Sequence, residues 1–258
     1  MAGVVRTYLV PQLVDPAALA GGVAVVIDQF RASTTICGAL AAGARGVVPC
    51  LTEADAGARR ALSPGTTLAG GEREGVRIPG FDLDNSPESY TRERVEGKMI
   101  AFTTTNGTRA AVLAERAGAL VVGCLANVSA LAKFVGADER VVHVICAGTR
   151  TRVTLEDVLA AGAIAEAMER MGRPVRMADA RPDDDSTMIA MELWRSARER
   201  GLAGELRRSR GARNLMREGL GADIDVCSVV DAIPVVPVMD RGGGAFVVGA
   251  ADRGAPGR

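Results

Sequence analysis

Short runs of β-branched residues alternate with longer Ala-rich stretches along this chain, and that alternation most restricts what it can fold into. Runs such as VAVVI (23–27) and VVHVI (141–145) are apolar at nearly every position, which suits strands buried on both faces. On this pattern strands are expected at residues 4–10, 23–28, 46–50, 67–70, 99–104, 119–123, 141–146, 175–178, 235–239 and 245–248. Helices are expected at 33–42, 53–62, 107–117, 128–135, 155–171, 186–201 and 203–218. Strands that alternate with helices imply an α/β fold with a largely parallel sheet. The Gly/Arg-rich stretch after Ala250 is expected to fray.

A length of 258 residues allows one large domain or two small ones, with ample core. A faint internal echo bears on that choice. Aligning ALAAGA (39–44) with VLAAGA (158–163) sets residues 25–27 against 144–146, Arg31 against Arg150 and Thr35 against Thr154. The echo suggests two related α/β halves, residues 1–138 and 139–258, with the site where they face each other.

Composition excludes several function classes. Basic and acidic residues balance at 31 each, so no overall field recruits nucleic acid or anionic lipid. Aromatics are only 3% of the chain, too few for base-stacking platforms. All basic residues but Lys98 and Lys133 are arginine, so anion contacts fall to guanidinium forks. The five cysteines form an odd set without CxxC spacing, which argues against a disulfide framework or zinc site and for a reducing compartment. Neither a signal pattern nor a spanning apolar run is present. The expectation is a soluble cytoplasmic protein whose partner is a small molecule, with no nucleic acid and no membrane; homo-oligomerisation is left open.

Four segments carry chemistry. In the first, the run 23–27 stops at Asp28, followed by Arg31 and the hydroxyls Ser33, Thr34 and Thr35 at the start of a helical pattern. Ligands of α/β sheets bind where strand ends meet helix starts, and anions are favoured there. Asp28 suits a Mg²⁺ ligand or a strand-terminal cap, and Arg31 suits an oxyanion grip. An aspartyl nucleophile needing a second Asp two residues on is disfavoured, because Phe30 stands there. The second segment, residues 70–87, reads as a long loop with Glu72, Arg77, Asp82, Asn85 and Ser86 able to reach a ligand; a solvated connector is the plainer alternative. The third, Thr103, Thr104, Thr105, Asn106, Gly107 and Thr108, is a concentrated donor set for phosphate without the Lys of a Walker loop. Helix capping by Thr105 or Asn106 competes with that role.

The fourth segment runs from Cys146 and Gly148 through Arg150 and Arg152 to Glu156 and Asp157. Cys146 and Arg152 satisfy the C-x5-R spacing of thiolate phosphatases, a pattern that chance alone also produces. Glu156 and Asp157 are favoured by the helix dipole, and could also hold a metal or act as a base. Asp183, Asp184, Asp185 and Ser186 read mainly as a helix cap. The only histidine, His143, lies inside an apolar run, so a His-based triad or zinc site is excluded.

Taken together and in order, these segments resemble the 2-phosphosulfolactate phosphatase family. The resemblance rests on Asp28 with residues 31–35, residues 71–73, 80–82 and 85–87, the 103–108 cluster, 146–148, Glu156-Asp157, 184–186, Asp223-Ile224, Cys227 and Asp231. It implies a three-layer α/β/α architecture in two similar halves. It implies a Mg²⁺-dependent hydrolase that removes phosphate from 2-phospho-3-sulfolactate, a step of coenzyme M biosynthesis. On this view Asp28 and Asp82, with Glu72, hold Mg²⁺; Arg31 and the 103–108 cluster clamp phosphoryl oxygens; Glu156 or Asp157 orients water. The chain departs from the family at Asp84, where a small residue is expected, and in the loop of Arg150 and Arg152. A Cys146 nucleophile and a non-catalytic binder of phosphorylated or sulfonated metabolites are the alternatives.

Overall fold

The computed structural model describes residues 3–136, 138–175 and 185–249. Its strands are β1 (Val5–Tyr8), β2 (Val23–Ile27), β3 (Gly46–Pro49), β4 (Thr67–Arg73), β5 (Val76–Arg77), β6 (Met99–Thr103), β7 (Ala119–Val122), β8 (Val142–Cys146), β9 (Pro237–Asp240) and β10 (Ala245–Val248). They form one ten-stranded mixed sheet in the order β1-β8-β2-β7-β9-β10-β3-β6-β4-β5. Strands β1, β8, β2 and β7 are mutually parallel, as are β3, β6 and β4. The hairpin β9–β10 pairs antiparallel with β7 on one side and β3 on the other. The two parallel blocks therefore run in opposite directions within one sheet.

Helices cover both faces, because strand residues alternate between them. Val23, Val25 and Ile27 of β2 pack with α5 (Val128–Gly136), α6 (Leu155–Arg170) and α7 (Ser186–Arg200). Ala24 and Val26 of the same strand pack on the other face with α1 (Ala32–Ala41) and α4 (Gly107–Leu113). Helix α2 (Glu53–Leu62) contributes Ala56 to a smaller cluster over β3 and β6. The three-layer α/β/α architecture is thus present.

Several expectations need correction. Residue 138 does not divide the sheet: β8 lies between β1 and β2, and β9–β10 lies between β7 and β3. The echo nonetheless has a spatial counterpart, since the aligned residues are ladder partners, Val25 with Val144 and Ile27 with Cys146. Residues 70–87 are not a structureless loop, because β4 continues to Arg73 and turns into β5. The expected helix 203–218 is two helices, α8 (Leu202–Arg207) and α9 (Arg210–Arg217). The break falls at Ser209, whose Oγ accepts from the Ala212 N–H and caps α9. Two short helices, α3 (Arg92–Val95) and α10 (Gly221–Cys227), carry too few residues to show a period. Most of the expected strand 175–178, the aspartates Asp183 and Asp184, and the tail lie outside the described residues.

Candidate active site

Strand β2 ends at Asp28, on the carboxyl edge that delivers ligand-binding residues in α/β sheets. The Asp28 N–H donates to Ser33 Oγ (2.8 Å), and the Asp28 carbonyl accepts from the Ser33 N–H (2.9 Å). Ser33 is therefore spent on fixing the turn that presents the acid. Asp28 is half-buried, and its carboxylate accepts from the Gly107 N–H. Behind it lies a narrow pocket lined by Val26, Ile36, Phe102, Val122 and Phe246, which strips it of water on that side.

Three more acids approach Asp28: Glu72 from β4, and Glu156 and Asp157 from the first turn of α6. Burial first, then the charges of Asp157, Glu72 and Glu156, hold the Asp28 carboxyl well above the usual range. Burial, reinforced by Asp157, pushes Glu156 up to about 7. Burial pushes Asp157 up to about 6, against the N–H groups of Gln29 (2.8 Å) and Gly148 (2.9 Å) that favour its charge. Glu72 accepts from the N–H of Thr105 (2.8 Å) and of Gly75 (2.6 Å). Glu156 accepts from Ser209 and Gly211 at the start of α9, yet its Oε2 is buried without a partner among the described residues. Gly211 is obligatory for that approach, since a Cβ there would stand 2.1 Å from Glu156 Oε1.

Among the described residues no group of three or more His, Cys, Asp or Glu side chains is placed to hold a metal ion together. An all-protein cage of the zinc type is therefore absent from them. Mg²⁺ makes a smaller demand: one or two carboxylates, with water and phosphate oxygens completing its shell. Asp28 and Glu72, whose charges oppose each other across the crevice, provide such a pair, so the donor set fits Mg²⁺.

Arg31 departs from its expected role as a free phosphate clamp. Its side chain is 2% exposed, and Nη1 lies 2.5 Å from Asp223 Oδ2 of α10. Its Nη2 donates to the Gly75 carbonyl (2.9 Å) at the β4–β5 turn. The other Asp223 oxygen accepts from Ser86 Oγ (2.6 Å), so Ser86 is bound into the same network. Asp82 is corrected as a metal ligand: its carboxylate is taken up by Arg60 (2.7 Å) and the Ala69 N–H (2.9 Å). Arg77 is exposed on β5 as the ladder partner of Glu72, and no hydrogen bond or ion pair among the described residues holds its guanidinium.

The hydroxyl segment is mostly bonded to itself. Thr103 Oγ1 accepts from Arg73 (3.0 Å), while Thr104 and Thr108 bond each other through hydroxyl and backbone. Thr105 Oγ1 is buried without a partner among the described residues, Asn106 is partly accessible, and Gly107 serves Asp28. Asn85 accepts from Thr35 through its carbonyl (2.8 Å), and its side-chain Oδ1 is a further buried oxygen without a partner among the described residues. The Thr34 hydroxyl lies with the sulfurs of Cys124 and Cys227 in the core.

Cys146 is corrected as a nucleophile. Its thiol is fully buried in β8, and burial with the charges of Asp157 and Glu156 raises it well above its usual value. A thiolate is disfavoured there, and Arg152, its C-x5-R partner, is exposed. Gln29 escaped sequence reasoning, and so did the role of Asp223. Gln29, fully buried, bonds Asp157, the Cys227 carbonyl (2.6 Å) and the Leu125 N–H (2.9 Å). Asp223 was noticed only as part of a resemblance; nothing in local periodicity marks it as the partner of Arg31.

The sequence matches the profile of the family described as 2-phosphosulpholactate phosphatase over residues 8–242. A relative from Symbiobacterium thermophilum, named probable 2-phosphosulfolactate phosphatase, is 43% identical over 87% of this chain and 94% of its own. Relatives of the same name from Caldanaerobacter subterraneus and Deinococcus radiodurans are 36% and 38% identical, over 84% and 85% of this chain and 88% of each of theirs.

Proposed function

The chain belongs to the 2-phosphosulpholactate phosphatase family, and on that premise we propose that it hydrolyses 2-phospho-3-sulfolactate to sulfolactate and phosphate with the aid of Mg²⁺. It is a phosphoric monoester hydrolase. One observation carries the metal dependence: burial and the charges of Asp157, Glu72 and Glu156 raise the proton affinity of Asp28, while Arg31, three residues further on, is already paired with Asp223. A phosphate dianion entering that crevice alone would be repelled. A divalent cation held by Asp28 and Glu72 would neutralise both the carboxylates and the phosphoryl oxygens.

The remaining groups divide the work. Glu156, with a free Oε2 and a proton affinity near neutrality, is suited to take the proton of an attacking water. Asp157, held at both oxygens, keeps the β8–α6 loop and the Gln29 backbone in register with it. Thr105 Oγ1 and Asn85 Oδ1, buried and without a partner among the described residues, are polar groups suited to meet substrate or its water. Arg31 acts through structure, tying α1 to α10 and to the hairpin that carries Glu72. No helix among the described residues is long and apolar enough to cross a membrane, and the five free, buried cysteines support a cytoplasmic setting; a place in coenzyme M biosynthesis is proposed from the family alone.

The test is phosphate release from 2-phospho-3-sulfolactate with Mg²⁺, after chelation, and after Mg²⁺ is restored. Activity should disappear with EDTA and return with the metal, and Asp28→Asn should fold at least as stably as wild type yet lose at least about a hundredfold in kcat. Turnover that survives chelation and the Asn substitution would overturn the metal assignment.

A further inference from the structure

Two loops deliver the acids of the crevice, and one ion pair joins their tips. The β4–β5 hairpin carries Glu72 and turns at Glu74 and Gly75; Gly75 donates its N–H to Glu72 and accepts from Arg31 at its carbonyl. The loop after β8 begins at Gly148, whose N–H donates to Asp157, and reaches Arg150 two residues later. Arg150 Nη2 lies 2.7 Å from Glu74 Oε1, so the pair spans from the Glu72 side to the Asp157 side. Glu74 (φ 55°), Arg150 (φ 50°) and Thr151 (φ 65°) all adopt the left-handed region, where a side chain is uncommon and local conformation is held by its surroundings.

The pair is also easily parted. Arg150 is 65% and Glu74 77% exposed, and ion pairs so open to water contribute little to stability. Two arginines beside the site are committed more firmly: Arg31 to buried Asp223 and Gly75, Arg73 to Thr103, the Glu72 carbonyl and Glu53. Arg150 is thus a guanidinium fork at the rim whose present partner is weakly held.

Building on the proposed hydrolysis, we propose that Arg150 is the specificity-determining residue of this crevice. It releases Glu74 and takes the non-reacting anionic group of the substrate, sulfonate or carboxylate, in a bidentate grip. Glu74 is its placeholder, keeping the fork extended and the two loops aligned until substrate arrives.

Steady-state kinetics of Arg150→Gln and Glu74→Gln on 2-phospho-3-sulfolactate, and on phenyl phosphate, which has no second acid, test this. Arg150→Gln should raise KM for the first substrate about tenfold with kcat within about twofold, and leave kcat/KM for phenyl phosphate unchanged. Glu74→Gln should leave KM equal or lower it, because a competitor for the fork is gone. Equal losses on both substrates for Arg150→Gln, no loss on either, or a raised KM for Glu74→Gln would each overturn the proposal. Should the wild-type protein release no phosphate, the hydrolase reading fails, and calorimetric binding of sulfolactate tests Arg150 separately. Affinity about tenfold weaker in Arg150→Gln supports the role, and unchanged affinity overturns it.

Discussion

Glu156 and Asp157 stand side by side in the first turn of α6, and their proton affinities make the protein's stability depend on pH. Both are raised, to about 7 and about 6, from ordinary values of 4.5 and 3.8. Between those limits the folded chain holds protons that the unfolded chain has released. Their contribution to stability is therefore complete below about pH 4 and is lost as pH rises towards 7. His143 acts in the opposite sense: burial pushes it down to about 4, so its contribution grows as pH rises from there to about 6.5. A comparison with Glu156→Gln separates the two. In metal-free protein the Gln variant should gain stability over wild type between pH 5 and pH 8, roughly 1–3 kcal/mol or a few degrees in Tm. Added Mg²⁺ should stabilise wild type more at pH 8 than at pH 5. A Tm difference between the two proteins that does not change with pH would remove Glu156 from the acid cluster.

Helices and turns matter here through the few buried groups that tie them together. Arg31 at the start of α1 joins Asp223 of α10 and Gly75 of the hairpin, and Ser86 completes the network. Breaking such a pair from one side leaves a buried charge without compensation, which is worse than having no pair. Asp223→Asn should therefore cost about 3–5 kcal/mol in urea unfolding and loosen the hairpin that carries Glu72. Loss below about 1 kcal/mol would mean that the network is not a structural tie. The hairpin also depends on Gly71, where φ is 136° and a Cβ would stand 1.9 Å from the Thr103 carbonyl oxygen. No larger residue lets β4 pass β6 so closely, and the acid that follows would move with the strand.

On the scale of the whole molecule, the sheet holds together only because β9–β10 joins two parallel blocks that run in opposite directions. Val238 pairs with Val121 of β7, and Phe246 pairs with Val47 of β3. Asn127, fully buried, donates to the carbonyls of Val122 (3.1 Å) and Val235 (3.0 Å), and so pins the approach to that hairpin. Phe246 itself belongs to the core cluster beneath α1 and α4. Removing residues 234–258 should therefore abolish cooperative unfolding and near-ultraviolet circular dichroism rather than trim an edge. A truncated chain that still unfolds in one sharp transition would show that the blocks hold each other without the hairpin.

The strand and helix pattern was legible in the sequence because buried strands advertise themselves as apolar runs and long helices show a period. Asp28, Glu156 and Asp157 were legible as well, since each sits where a strand ends or a helix begins, a position set by local pattern. Partner choice was not. Arg31 and Asp82 look in sequence like ligand-binding residues, but Asp223 lies 192 positions from Arg31, and Arg60 claims Asp82 across α2 and β4. Whether a charged side chain faces a ligand or a buried counter-charge depends on which distant segment packs against it. Hydrophobic patterning specifies burial; only the folded arrangement of the sheet decides which charges meet.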